Sequence, residues 1–123
     1  MAPNGYILIV ETDDLIRGLL ERWLGEAGYV VVAGSSAAAA RDDAREKAPR
    51  LVIANISRPR GAEALIRSLQ ATYPAPILVI SARFRRGLEA SASAAYQLGV
   101  RKVLPKPFTR RELLAAVRES LEG

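Results

Sequence analysis

Five short apolar runs, rich in β-branched residues and free of polar alternation, constrain this chain more than anything else in it. They are Tyr6 to Val10, Tyr29 to Ala33, Leu51 to Ile56, Ile77 to Ile80 and Val100 to Leu104. A strand with one wet face alternates apolar and polar residues. A run without alternation calls for burial on both faces, the condition of a strand inside a parallel sheet.

Between these runs the pattern becomes helical. Leu15, Ile16, Leu19, Leu20, Trp23 and Leu24 recur at helical spacing, with Arg17, Glu21 and Arg22 on the other face. Thr12 or Asp13 can cap this first helix, and Gly28 can end it. An alanine-rich helix is expected from Ser35 or Ser36 to about Lys47, stopping before Pro49. The loop from Ser57 to Gly61 leads to a third helix carrying Ala64, Leu65, Ile66 and Leu69, broken at Tyr73–Pro76. A basic loop, Arg83 to Gly87 around Phe84, precedes a fourth helix from about Leu88 to Leu98 that is built almost wholly of small residues. Such a helix buries little apolar area, and loose attachment is expected of it. Thr109 and Glu112 have capping-box spacing, and the last helix is expected to bury Leu113, Leu114, Val117 and Leu121.

Five strands alternating with five helices predict an α/β domain with a doubly wound, five-stranded parallel sheet. Its 123 residues fit one domain, 1–123, with no internal linker. Ligands of such sheets sit beyond the carboxyl ends of the strands. The residues standing there are Glu11, Thr12, Asn55, Ser81 and Lys106.

Composition removes several kinds of chemistry. The chain has neither cysteine nor histidine, so disulfides, thiolate catalysis and the commonest general base and zinc ligand are excluded. The first residues lack the basic and long apolar segments of a secretory signal, and no apolar run reaches the roughly 18–20 residues that cross a bilayer. A cytoplasmic protein without membrane contact is expected. The net charge of +5 admits an acidic partner. A basic nucleic-acid-binding module is the alternative of another class, although no zinc-finger spacing, RNA-binding aromatic motif or long basic helix supports it.

Four segments in order carry a resemblance that spans the chain. Ile7-Leu-Ile-Val10 with the acidic residues after it, followed by Leu15-Ile-Arg17 and Glu26-Ala-Gly-Tyr29, is similar to the first strand and helix of response regulator receiver domains. Leu51-Val-Ile-Ala-Asn-Ile56, with Pro59 and Gly61, resembles their phosphoacceptor strand and loop. Ile77-Leu-Val-Ile-Ser-Ala82 resembles the fourth strand, and Leu104-Pro-Lys-Pro-Phe108 the end of the fifth. The resemblance implies a flavodoxin-like fold, strand order 2-1-3-4-5, and a place in two-component phosphorelay signalling. Its partners would be a histidine kinase or a downstream regulator.

The resemblance also assigns roles, and here the chain departs from the family. In receivers an aspartate accepts the phosphoryl group; Asn55 stands at that position, and a carboxamide has no anionic oxygen to attack phosphorus. Glu11 keeps the first metal-binding acidic position, but Thr12 replaces the second. With the acceptor also neutral, Mg²⁺ binding is expected to be weak or absent, and no other cofactor is implied. Val103 occupies the switch position and has no ring to rotate, while Ser81 and Lys106 match the phosphate-binding positions. An atypical pseudo-receiver is the reading: a non-enzymatic protein-interaction module, not phosphorylated at the usual site. The alternatives are a receiver with a displaced acceptor, Asp13 or Ser57, or an active one carrying an engineered aspartate-to-asparagine change at Asn55. Without a phosphate, Lys106 needs an anion; an ion pair with Glu11 is expected, with Asn55 and Thr12 hydrogen-bonded beside it.

Arg101 and Lys102 sit where receivers often carry acidic residues, and Arg110, Arg111 and Arg118 add positive charge nearby. Like-charge repulsion is expected to weaken the dimer that many receivers form through this face. An acidic protein partner is the expectation.

Overall fold

All five apolar runs contribute strands to one parallel sheet in the computed structural model of the protein, which describes residues 5–35, 49–56, 62–81, 95–96 and 98–122. The strands are β1 (Tyr6–Val10), β2 (Val31–Gly34), β3 (Pro49–Asn55), β4 (Ile77–Ser81) and β5 (Lys102–Pro105). They lie in the order β2-β1-β3-β4-β5, with every neighbouring pair parallel. This is the flavodoxin-like order expected from the sequence. Three helices are described: α1 (Asp14–Glu26), α2 (Ala62–Thr72) and α3 (Arg110–Glu122).

The absence of alternation in the strands has its cause in two separate apolar layers. Ile7, Ile9, Leu51, Ile53, Leu78 and Ile80 face one way and pack with Leu20 and Leu24 of α1 and Leu113, Ala116 and Val117 of α3. Their neighbours Leu8, Val10, Val52, Ala54, Val79 and Val103 face the other way, against Ile66 and Leu69 of α2, Tyr73 and Ala95. Each face of the sheet therefore has its own helical cover, and odd and even strand positions are both buried.

Some boundaries differ from the sequence reading. The second strand begins at Val31, and Val30 is half exposed, although its carbonyl still accepts from Ile7 N at 2.8 Å. The fifth begins at Lys102, because Val100 N bonds back to the Ala95 carbonyl and only Arg101 N reaches the sheet, at Ile77 O. In α1 the apolar arc is wider than the sheet can cover. Leu20 and Leu24 are buried, but Leu15 is 85% exposed and Leu19 is 39% exposed. A helix advances about 100° per residue, so Leu15 and Leu19, each one position before Ile16 and Leu20, turn aside from the face that meets the sheet. In α2, Ala64 is likewise exposed, while Ile66 and Leu69 are buried.

The last helix follows its expected design. Thr109 N donates to Glu112 Oε1 at 2.8 Å and Glu112 N to Thr109 Oγ1 at 3.1 Å, a reciprocal capping box. Leu113 and Val117 are buried, with Leu114 and Leu121 partly so. The segments expected to form the alanine-rich helix, the Ser57–Gly61 loop, the Arg83–Gly87 loop and the first part of the fourth helix, 88–94, lie outside the described residues.

Candidate functional site at the carboxyl end of the sheet

Parallel register brings Glu11 and Asn55 out of the sheet on adjacent strands. Val10 pairs with Ala54 across β1 and β3, and Asn55 pairs with Ile80 across β3 and β4. Lys106 follows directly on β5, where Lys106 N donates to the Ser81 carbonyl at 3.0 Å and the Lys106–Pro107 peptide is cis. The ends of β1, β3, β4 and β5 thus supply all the polar residues singled out in the sequence, apart from Thr12 in the turn after β1.

Glu11 is the anchor of the site. Only 1% of it is exposed, an unusual depth for a carboxylate. One oxygen, Oε2, accepts from Asp13 N at 3.1 Å, and the other, Oε1, lies 3.7 Å from Lys106 Nζ. That separation makes an ion pair rather than a hydrogen bond. The expected Glu11–Lys106 pair is present, with the Lys106 side chain 20% exposed and turned to the buried carboxylate. Arg17, expected on the outer helix face, adds a second cation next to the site. Its Nη1 donates to the Glu11 carbonyl at 2.9 Å, while its Nη2 pairs with Asp14. The available signal was the Asp14–Arg17 spacing of three, which puts both on one side of the first turns of α1.

Two expectations are corrected. Asn55 Oδ1 is buried and finds no hydrogen-bond partner among the described residues. Thr12 is exposed and takes no part in the pocket's hydrogen bonding among those residues. The reason lies in the turn after β1, where Asp13 rather than Thr12 is the helix cap. Asp13 Oδ1 accepts from Leu15 N at 2.9 Å and Ile16 N at 3.0 Å. This also commits the carboxylate of Asp13 to the backbone of α1. Ser57 lies outside the described residues.

Ser81 is fully buried, and its hydroxyl donates to the Ile56 carbonyl at 2.7 Å, tying the end of β4 to the residue after Asn55. Val103 is packed in the core layer beneath α2.

The basic residues divide into two groups. Beside β5, Lys102 Nζ lies 2.6 Å from Glu119 Oε1, and this hydrogen-bonded ammonium holds the Glu119 carboxyl below the usual carboxylate range. Arg101 Nη1 donates to the Ser120 carbonyl at 2.7 Å. Arg110 reaches Glu26 at the end of α1, at 3.6 Å. Arg111 and Arg118 are exposed and make no ion pair among the described residues.

Comparison with known proteins agrees with this geometry. Residues 7–118 match the response regulator receiver domain. The chain belongs to the response regulator receiver family. Protein PetR of Rhodobacter capsulatus is 33% identical over 121 residues, covering 98% of this chain and 50% of PetR. The DNA-binding transcriptional regulator NtrC of Escherichia coli is 30% identical over 120 residues, covering 96% of this chain and 25% of NtrC. The receiver chain therefore spans half or less of these curated relatives. Among solved structures, a response regulator from Thermotoga maritima superposes with a TM-score of 0.76 at 18% identity, covering 98% of this chain and 99% of that one. NtrX from Brucella abortus gives a TM-score of 0.76 at 27% identity, covering 96% of this chain and 27% of NtrX. No described helix of this receiver is long and apolar enough to cross a membrane.

Proposed function

We propose that this receiver is a pseudo-receiver: a cytoplasmic protein-interaction module of two-component signalling that takes no phosphoryl group at the usual strand end and has no catalytic activity of its own. The observation that carries this reading is Asn55. It ends β3 beside Glu11, and its side chain offers a neutral carbonyl oxygen and an amide, neither of which can form an acyl phosphate. The reading gains support from Lys106, whose ammonium already has an anionic partner in Glu11. A histidine kinase or downstream regulator would then read the surface of this domain rather than its phosphorylation.

The same residues are a poor match for the Mg²⁺ that receivers use. A hard cation prefers several carboxylate oxygens. Among the described residues the pocket has one carboxylate not committed to a helix cap, that of Glu11, and its Oε1 faces the Lys106 ammonium while its Oε2 accepts from the backbone. Asn55 Oδ1 adds only a neutral donor, and Thr12 is exposed. We infer that the divalent ion is bound weakly or not at all.

Thermal unfolding with and without millimolar Mg²⁺ tests this reading, because a ligand that binds only the folded state raises Tm. The expected result is an unchanged Tm for the parent chain. Asn55→Asp, which sets a second carboxylate near Glu11, is expected to lower Tm in chelator and to recover part of the loss with Mg²⁺. A clear Mg²⁺-dependent rise in the parent itself would overturn the reading.

A further inference from the structure

Both halves of the ion pair at the strand ends are tied to α1. Glu11 is tied directly: its Oε2 accepts at 3.1 Å from the backbone N–H of Asp13, the cap of α1, and its carbonyl accepts from Arg17 Nη1 at 2.9 Å. Lys106 is tied through the turn that follows it. Two residues on, the ring of Phe108 meets Trp23 of α1 edge to face, with centroids 6.4 Å apart and planes at 72°, a geometry in which aromatic rings attract. Both rings are partly buried against the core layer that holds Leu20, Leu24 and Leu113. Arg110 adds an ion pair with Glu26 at 3.6 Å, but both side chains are about half exposed, and such a pair contributes little. The ring contact therefore carries the connection. α1, Glu11, Lys106 and Phe108 form a closed chain of contacts. Val103, at the position where receivers carry the rotating ring, packs in the layer on the other face of the sheet, so this chain does not pass through it.

From this arrangement we propose that α1 is a lever on the Glu11–Lys106 pair, with Trp23 and Phe108 as positioning residues. In its present seat α1 holds the pair closed, and a shift of α1 opens it. The two ends of the pair start from different parts of the sheet. Glu11 follows β1 and is fixed to the first turn of α1, whereas Lys106 follows β5, the edge strand, and must reach inward across the strand ends. It arrives at ion-pair distance, 3.7 Å, without a hydrogen bond to hold it there. Its aim therefore depends on where the turn after β5 is seated, and Phe108 seats that turn on Trp23. The coupling runs both ways. A buried carboxylate deprived of its counter-charge is costly, so the closed pair in turn resists displacement of α1. The inference needs neither a phosphoryl group nor a metal ion, and it stands whatever the state of Asn55.

Acetylation of the full chain by acetic anhydride, followed by peptide mass mapping, tests it. Lys106 is held by Glu11, and Lys102, held by Glu119 beside α3, serves as the internal control. Trp23→Leu and Phe108→Leu are expected to speed acetylation of Lys106 by about fivefold or more and to leave Lys102 unchanged. Trp23→Phe keeps a ring against Phe108 and is expected to keep the parent's rate at Lys106. The reverse direction is read from Trp23 itself, the only tryptophan in the chain. Lys106→Met is expected to shift its emission to the red and to raise its quenching by acrylamide, and Phe108→Leu to abolish that response. Acetylation of Lys106 at the parent's rate in both leucine variants would overturn the proposal. A parallel rise at Lys102, the mark of general loosening, would do so too, as would a rate in Trp23→Phe equal to that in Trp23→Leu. The fluorescence arm decides the matter if the leucine variants fail to fold: an unchanged Trp23 spectrum in folded Lys106→Met contradicts the lever.

Discussion

The pair Glu11–Lys106 sets the electrostatics at the carboxyl end of the sheet. Glu11 is almost wholly buried, so its carboxylate must be answered inside the protein, and Lys106 and Asp13 N do so, while Arg17 Nη1 holds the Glu11 backbone carbonyl. Removing the ammonium alone should cost more than the pair itself contributes, because it leaves a buried carboxylate without its counter-charge. Lys106→Met is expected to destabilise the fold by roughly 1–3 kcal/mol, with Glu11→Gln in the same background recovering part of that loss. Urea unfolding of the parent, both single variants and the double variant checks this; additive single effects would mean that the two charges do not interact. The pair was legible from the sequence because a lysine at a strand end beside one remaining carboxylate has few other partners. The exposure of Thr12 was not, since Thr12 and Asp13 are both competent helix caps and only the backbone path of the turn selects between them.

At the scale of elements, α1 shows how far periodicity reaches. Six apolar residues at helical spacing announce a helix, and the helix is there over Asp14–Glu26. Periodicity alone does not say how much of a wide apolar arc a flat sheet will cover. The difference is measurable: Leu20→Ala is expected to cost roughly 2–5 kcal/mol by opening a cavity in the layer shared with Ile7 and Leu113. Leu15→Ala, at an exposed position, should stay within about 0.5 kcal/mol. Chemical denaturation of the two variants decides between this packing and one in which both leucines are core residues. The strand ends were legible for a different reason. Unbroken apolar runs mark strands buried on both faces, and the polar residues Glu11, Asn55 and Ser81 at the ends of the first, third and fourth mark the carboxyl end where sites form.

For the whole molecule, the two-layer cover of the sheet has a consequence at its opposite edge. Tyr6, at the start of β1, is buried, and burial first, with the neighbouring Tyr73 phenol second, pushes its hydroxyl above the ordinary tyrosine value. The folded chain then holds this proton to higher pH than the unfolded chain, so the unfolded state binds fewer protons in that interval. Stability should be unaffected by this group below the unfolded value of about 10 and should fall as pH rises from there through the folded value. In Tyr6→Phe that contribution to the fall should disappear, which unfolding midpoints on either side of about pH 10 would show; an identical slope in both proteins would contradict it. The sheet order and the placing of helices on both faces followed from the alternation of strand and helix patterns. The division of the basic residues did not, because it depends on which side of α3 turns Glu119 towards Lys102 of β5 and which faces outward. The central claim concerns the end of β3, where a carboxamide stands in place of a phosphoryl acceptor. Intact mass spectrometry after incubation with Mg²⁺ and a small acyl-phosphate donor tests it most directly: the parent chain should keep its unmodified mass, and a stable gain of one phosphoryl group would contradict the claim.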